Sequence, residues 1–179
     1  MRKLALSDEI LMKVDKAARY IGGEVNSIMK DKNNVDIRFA MCFPDVYEIG
    51  MSNLGMMILY NMFNEREDVW AERVFSPWLD LDKIMREKNI PLFALESQEP
   101  VKDFDFLGIT LGYEMCYTNV LQVLDLSHIS LLAKDRKEDD PIVIGGGACA
   151  YNPEPIAEFF DMFYIGEGET VYDALFDVY

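Results

Sequence analysis

Residues 141–170 read PIVIGGGACAYNPEPIAEFFDMFYIGEGET, and this stretch decides the fold. A short apolar run, IVI, closes on three glycines, Gly145, Gly146 and Gly147. Apolar runs bounded by turn signals are typical of strands covered on both faces, as in parallel sheets. A second short run, MFYI, closes on Gly166-Glu167-Gly168-Glu169, and a helix-like stretch follows it. Strands ending in glycine, with helical spacing between and after them, indicate an α/β sheet with crossover helices.

The same alternation extends back through the chain. Strands are expected over 35–43, 68–76, 103–114, 140–147 and 162–169, with a short one over 91–97. Helices are expected over 8–21, 52–64, 78–89, 115–134 and 170–179. Ser7 is a natural cap for the first, which stops at Gly22-Gly23. Leu54, Ile58, Met62 and Phe63 are expected along the buried side of the second, and the methionines of GMMILYNMF read as core filler. Residues 1–34 thus form an N-terminal helix and connector, and 35–179 an α/β domain. The chain ends within a helical pattern, as expected of a segment of a longer protein.

Composition narrows the function. The 179 residues are 50% hydrophobic and 12% aromatic, which suits one folded domain with a sizeable core. Lys and Arg number 17 against 32 Asp and Glu, a net charge of −15, which opposes direct nucleic-acid binding. No apolar run is long enough to span a membrane, and the start lacks a signal-peptide pattern, so a cytoplasmic location is expected. Cys42, Cys116 and Cys149 are sparse and odd in number, which fits reduced thiols, and none forms a zinc-type pair. His128, the single histidine, is expected mid-helix and without a catalytic partner.

Right-handed crossovers bring the loops at the carboxyl ends of parallel strands to one edge, where doubly wound sheets bind ligands. The unusual sequences fall there. Asp45, Tyr47, Glu48 and Gly50 follow the first strand, Thr110 and Tyr113 another, Gly145 to Gly147 another, and Gly166 and Glu167 the last. Asp45-x-Tyr47-x-x-Gly50 has the spacing of the cobalamin-ligand loop D-x-H-x-x-G, with tyrosine at the ligand position. The triple glycine suits close approach of a flat or phosphorylated group, or simply a tight turn. It lacks dinucleotide and P-loop patterns. Glu169 suits the positive end of the last helix, and the functional alternative is that Glu167 points into the strand-end crevice, towards a substrate or a neighbouring domain.

Taken together, Gly145 to Gly147, Asn152-Pro153-Glu154, Asp161 and Gly166 to Glu169 resemble the end of the cobalamin-binding-like domain that precedes the barrel of many radical S-adenosylmethionine (SAM) enzymes. FPDVYEIGMSNLG and DFLGITLGYEMCYTNVLQVL resemble earlier parts of the same domain. The resemblance implies a flavodoxin-like, Rossmann-like, mostly parallel sheet with helices on both faces. It also implies a catalytic barrel in the same polypeptide, holding a 4Fe–4S cluster and S-adenosylmethionine. The cysteine loop for that cluster does not occur here, so no independent radical activity is expected. A phenol is a poor cobalt ligand beside imidazole, and the usual Ser-x-Leu becomes Thr110-Leu111-Gly112. The favoured expectation is an accessory domain lining the active-site crevice. Asp45, Tyr47, Glu48, Gly50, Thr110, Gly145, Gly146, Gly147, Gly166 and Glu167 are the candidate cofactor-site residues, with no catalytic or metal residue. Alternatives are a cobalamin carrier, which needs an open crevice between the loops at Pro44 to Gly50 and at Gly145 to Tyr151 that Tyr47, Tyr113 and Tyr151 could fill, and an acidic module docking a basic partner. A flavin carrier is less favoured, for want of a phosphate loop.

Overall fold

The computed structural model describes residues 4–179. Five strands, β1 (Ile37–Phe43), β2 (Val69–Phe75), β3 (Phe106–Thr110), β4 (Ile142–Gly146) and β5 (Met162–Phe163), form one sheet in the order β2-β1-β3-β4-β5. Every pairing is parallel, and the order is that of a flavodoxin-like doubly wound fold. The helices are α1 (Asp8–Leu11), α2 (Tyr47–Met51), α3 (Leu54–Glu65), α4 (Leu79–Lys88), α5 (Tyr117–Leu126) and α6 (Tyr172–Val178).

Alternating side chains divide the core. Ala40 and Cys42 of β1, with Leu107, Ile109 and Val143, pack towards α4 and α5. Ile37, Phe39, Met41 and Phe43, with Phe106 and Ile144, pack towards α3 and α6. Both faces of the sheet are covered, so β1 is buried at all seven positions.

The edge strand β2 is finished by side chains. Residues 91–97, expected as a strand, contain only an isolated bridge between Phe93 and Pro100. The reason is chemical: the Glu96 carboxylate accepts the Arg73 amide at 2.7 Å and its Nε at 2.6 Å. Glu72 reciprocates by accepting the Ser97 amide at 2.7 Å while pairing with Arg38 at 2.6 Å. Carboxylates thus take ladder positions that a sixth strand would fill. Burial drives the acidities of Glu72 and Glu96 weaker than usual, opposed by their arginine partners.

Four other expectations are corrected. The helix over 8–21 is a single turn at α1 followed by a 3₁₀ turn at Ala17–Arg19, and Ser7 makes no side-chain cap. The Asp80 carboxylate takes the Asp15 amide at 2.8 Å, which diverts the chain from the helix. In α3 the buried side is Met56, Tyr60, Phe63 and Asn64, whereas Leu54 and Ile58 are exposed. Asn53 caps the Met56 amide, so the helix starts two residues later than expected and its inner stripe shifts. The long helix over 115–134 ends at Leu126. His128 lies beyond it at φ 57, and the amides of His128 and Ile129 return to Asp125 and Leu124 in a Schellman closure. The last strand shrinks to Met162–Phe163.

The N-terminal segment packs on the domain. Leu6, Ile10, Val14 and Tyr20 join the core beside α4 and α5. By Ile28 the chain has passed around β2 to the other face, where its amide donates to Tyr60 and its carbonyl accepts from Trp70 Nε1.

Removing one partner of a buried ion pair leaves the other uncompensated, so Glu96→Ala should cost about 3–5 kcal/mol in chemical denaturation. The double variant Arg73→Met/Glu96→Leu should recover most of that loss.

Candidate functional site

The loops after β1 and β3 meet where strand order reverses, and one side of that meeting point is closed. The Tyr113 hydroxyl donates to the Asp45 carboxylate at 2.5 Å, and Asn119 of α5 donates to the Pro44 carbonyl at 2.9 Å. The hydrogen bond to Asp45, then desolvation, push the Tyr113 phenol up to about 12. The Leu111 amide donates to the Gly146 carbonyl at 2.6 Å, and the Cys149 amide to the Leu111 carbonyl at 2.9 Å, which ties the β3 and β4 loops together. Gly147 makes this joint possible. Its φ is 102, and a Cβ there would lie 3.0 Å from the Leu111 carbonyl oxygen.

The other side, beneath α3 and α6, is open. A crevice of about 230 Å³ runs between the sheet and these helices. Phe39 and Met41 of β1 form its floor with Gly108, and Thr110, Gly146 and Gly147 form its strand-end rim. Gly166, Glu167 and Glu169 close the far wall. The Tyr164 and Thr170 hydroxyls both donate to the Glu167 carbonyl at 2.9 Å, so this turn is held while the Glu167 side chain stays exposed. Tyr172 stands between the crevice and the core, its ring 4.6 Å from Phe63, and burial raises its phenol to about 12.

Five of the candidate residues line this crevice directly: Thr110, Gly146, Gly147, Gly166 and Glu167. Gly145 lies just behind, against Phe163 and Phe160. The residues of the Asp45-x-Tyr47-x-x-Gly50 loop turn elsewhere. Tyr47 packs edge-on to Phe75 at 5.6 Å, and burial, reinforced by the nearby Glu24 carboxylate, lifts its phenol to about 12. Glu48 pairs with Lys16 at 3.0 Å and Arg19 at 2.9 Å, fastening the N-terminal segment to α2. Gly50 is buried, and a Cβ there would fall 2.3 Å from the Phe75 ring. Tyr151 is exposed, and none of the three tyrosines considered as stoppers lines the crevice.

The sequence reading missed Asn53, Gly55, Leu59 and Tyr172 as crevice residues. The early part of α3 and the first turn of α6 carry no motif, and only the β2-β1-β3-β4-β5 order brings them together. Among the described residues, no cluster of three His, Cys, Asp or Glu side chains could hold a metal. No helix of the described residues is long and apolar enough to cross a membrane.

Strand order and the crevice at the switch point define a doubly wound, flavodoxin-like α/β domain. Residues 55–179 match the family described as radical SAM proteins, N-terminal, and the chain belongs to that family. An uncharacterized protein of Methanocaldococcus jannaschii is 30% identical over 133 residues, 73% of this chain but 24% of that relative. A cobalamin-binding protein from Desulfitobacterium hafniense DCB-2, solved at 1.5 Å, matches with a TM-score of 0.40 and 16% identity, over 79% of this chain and 57% of its own.

The Glu48 clasp sets a pH dependence. Arg19 and Lys16, in that order, hold its carboxyl at about 2 against an ordinary 4.5. A depressed carboxyl contributes stability above its unfolded value, and that contribution disappears as pH falls from 4.5 towards 2. Because the pair is partly exposed, Glu48→Gln should lower stability at neutral pH by under about 1 kcal/mol. Thermal midpoints of the two proteins should converge only once the pH falls below the folded-state value of about 2.

Proposed function

We propose that this chain is the accessory, non-radical domain of a radical SAM enzyme, and that its strand-end edge docks on the catalytic domain of the same polypeptide. The 4Fe–4S cluster and S-adenosylmethionine belong to that catalytic domain. One observation carries the reading: each of the five strand ends is followed by a large apolar side chain left in water. These are Leu54 after β1, Leu79 after β2, Met115 after β3, Tyr151 after β4 and Ile165 after β5. Four of the five are more than 70% exposed and the fifth, Ile165, is half exposed, which isolated surface residues rarely repeat around one edge. An edge of this kind suits a covered interface, with the crevice opening towards what covers it.

The test is a longer polypeptide carrying both domains. Leu79→Asp/Met115→Asp should lower 5′-deoxyadenosine formation at least tenfold, equivalent to ~1.4 kcal/mol, while leaving the thermal midpoint of this domain in place. Unchanged turnover and unchanged hydrogen exchange at the edge would overturn the docking.

A second reading, cobalamin carriage, draws support from an open crevice at Gly146 and Gly147 that the three tyrosines leave free, but no residue of the loop from Pro44 to Gly50 lines it. The residues present fit only part of the cofactor. Gly146 leaves room for a flat group, but Tyr47 faces Phe75 and would supply no ligand to it. Bound cobalamin would supply methyl or radical transfer chemistry, and this chain's share would be to hold it without a protein–cobalt bond. Titration with hydroxocobalamin should then give retained cofactor with a base-off absorbance spectrum. Free passage through equilibrium dialysis would remove this reading and leave the first.

A further inference from the structure

The lining of the crevice has a charge character that decides what can enter. It contains no Lys, Arg or His, and its two ionisable acids, Glu167 and Glu169, stand exposed at the far wall. Arg66, in a neighbouring hollow that shares Glu169 and Tyr172 with the crevice, is already held by Asp68, Asp173 and Asp177 at 2.7, 3.4 and 2.8 Å. The positive end of α3 also faces the crevice through Asn53 and Gly55, but a helix end counts as roughly half a charge, against two carboxylates. Asn53 already occupies one of its free amides, that of Met56. The wider field points the same way, because the chain carries a net charge of −15. A phosphate is therefore disfavoured at a rim whose glycines alone would suggest one.

The interior favours a flat π-system. Phe39, Phe63 and Tyr172 form one aromatic cluster, with rings 5.0 Å apart for Phe39–Phe63 and 5.9 Å for Phe39–Tyr172. Gly108 leaves space above β3 that the Phe39 ring fills, 2.4 Å from where a Cβ would stand. At Gly146 the space stays open: the closest atom to a built Cβ is the Tyr172 hydroxyl at 4.0 Å. A volume of about 230 Å³ matches a bicyclic ring with a small appendage.

We infer that this crevice binds a flat heteroaromatic group bearing an amine or other positive charge, and discriminates against a phosphate on the same group. The ring lies between the β1–β3 floor and Tyr172, and the cationic substituent reaches Glu167 and Glu169. The inference deepens the reading of the crevice as the domain's ligand site, and it is independent of docking at the apolar edge.

Three nucleosides sharing one ring separate the outcomes: 5′-amino-5′-deoxyadenosine, adenosine and adenosine 5′-monophosphate, titrated calorimetrically into the 179-residue chain. Expected affinities fall in that order, with the amine roughly twofold to fivefold tighter than adenosine, as exposed ion pairs allow. Raising the salt should shrink this preference. Glu167→Gln/Glu169→Gln should abolish the preference while leaving adenosine bound. Gly146→Val, whose side chain enters the crevice without backbone strain, should abolish binding of all three with the thermal midpoint retained. Equal or tighter binding of the monophosphate, no binding by any probe, or full binding by Gly146→Val would each overturn the inference. None of these results bears on the Leu79/Met115 experiment, so the two proposals fail separately.

Discussion

A parallel sheet must end somewhere, and here the rest of the structure depends on how β2 ends. An edge strand with free amides and carbonyls recruits partners or must be covered. This chain covers it with two interlocked arginine–glutamate pairs. Arg73 and Glu96 are wholly buried, and Arg38 and Glu72 nearly so. Each glutamate takes a backbone amide as well as a guanidinium, so the carboxylates close the hydrogen-bond ladder and neutralise the arginines together. Tyr60 lies 4.5 Å from the Arg73 guanidinium, and Phe104 lies 4.0 Å from that of Arg38, so aromatic faces shield both pairs. With β2 sealed, β1 stays central and the reversal of strand order falls between β1 and β3.

That reversal has two unlike sides. Facing α5, the loops are locked by Tyr113–Asp45, Asn119–Pro44 and the Leu111–Gly146 amide contact. Facing α3 and α6, there is no such lock and the crevice remains. The asymmetry has a cause in residue size. Gly146 leaves the sheet's tip open on the α3 side, while Leu111 and Cys116 fill the core on the other.

The sheet was legible because buried parallel strands are apolar runs bounded by turns, a pattern that β3 and β4 show plainly, β1 with only Arg38 interrupting it, and β2 despite Glu72 and Arg73 at its centre. Residues 91–97 share the pattern and still fail as a strand, because the decisive partner is the Glu96 side chain. Periodicity counts apolar positions and does not register a carboxylate standing in for a carbonyl. The overlong helix at 115–134 has a similar origin: His128 carries no glycine-like signal, yet it adopts the left-handed conformation that ends α5. For the site, the glycine loops and Thr110 were readable by type and position. The direction of Tyr47 and Glu48 was not, since it depends on Phe75, Lys16 and Arg19, which lie far off in sequence.

The N-terminal segment also orders events in time. Its anchors are distant in the chain: the Ala5 amide bonds Gln98, and the Tyr20 carbonyl accepts from the same side chain, across 93 and 78 positions. The segment is made before Gln98, so these two contacts wait until residue 98 has followed, although Lys16 and Arg19 already have Glu48 and Ile28 already has Tyr60. Contacts of such separation slow folding, because the loop must close before they contribute. The anchoring of Ala5 and Tyr20 on Gln98 is thus among the last parts of the domain to settle.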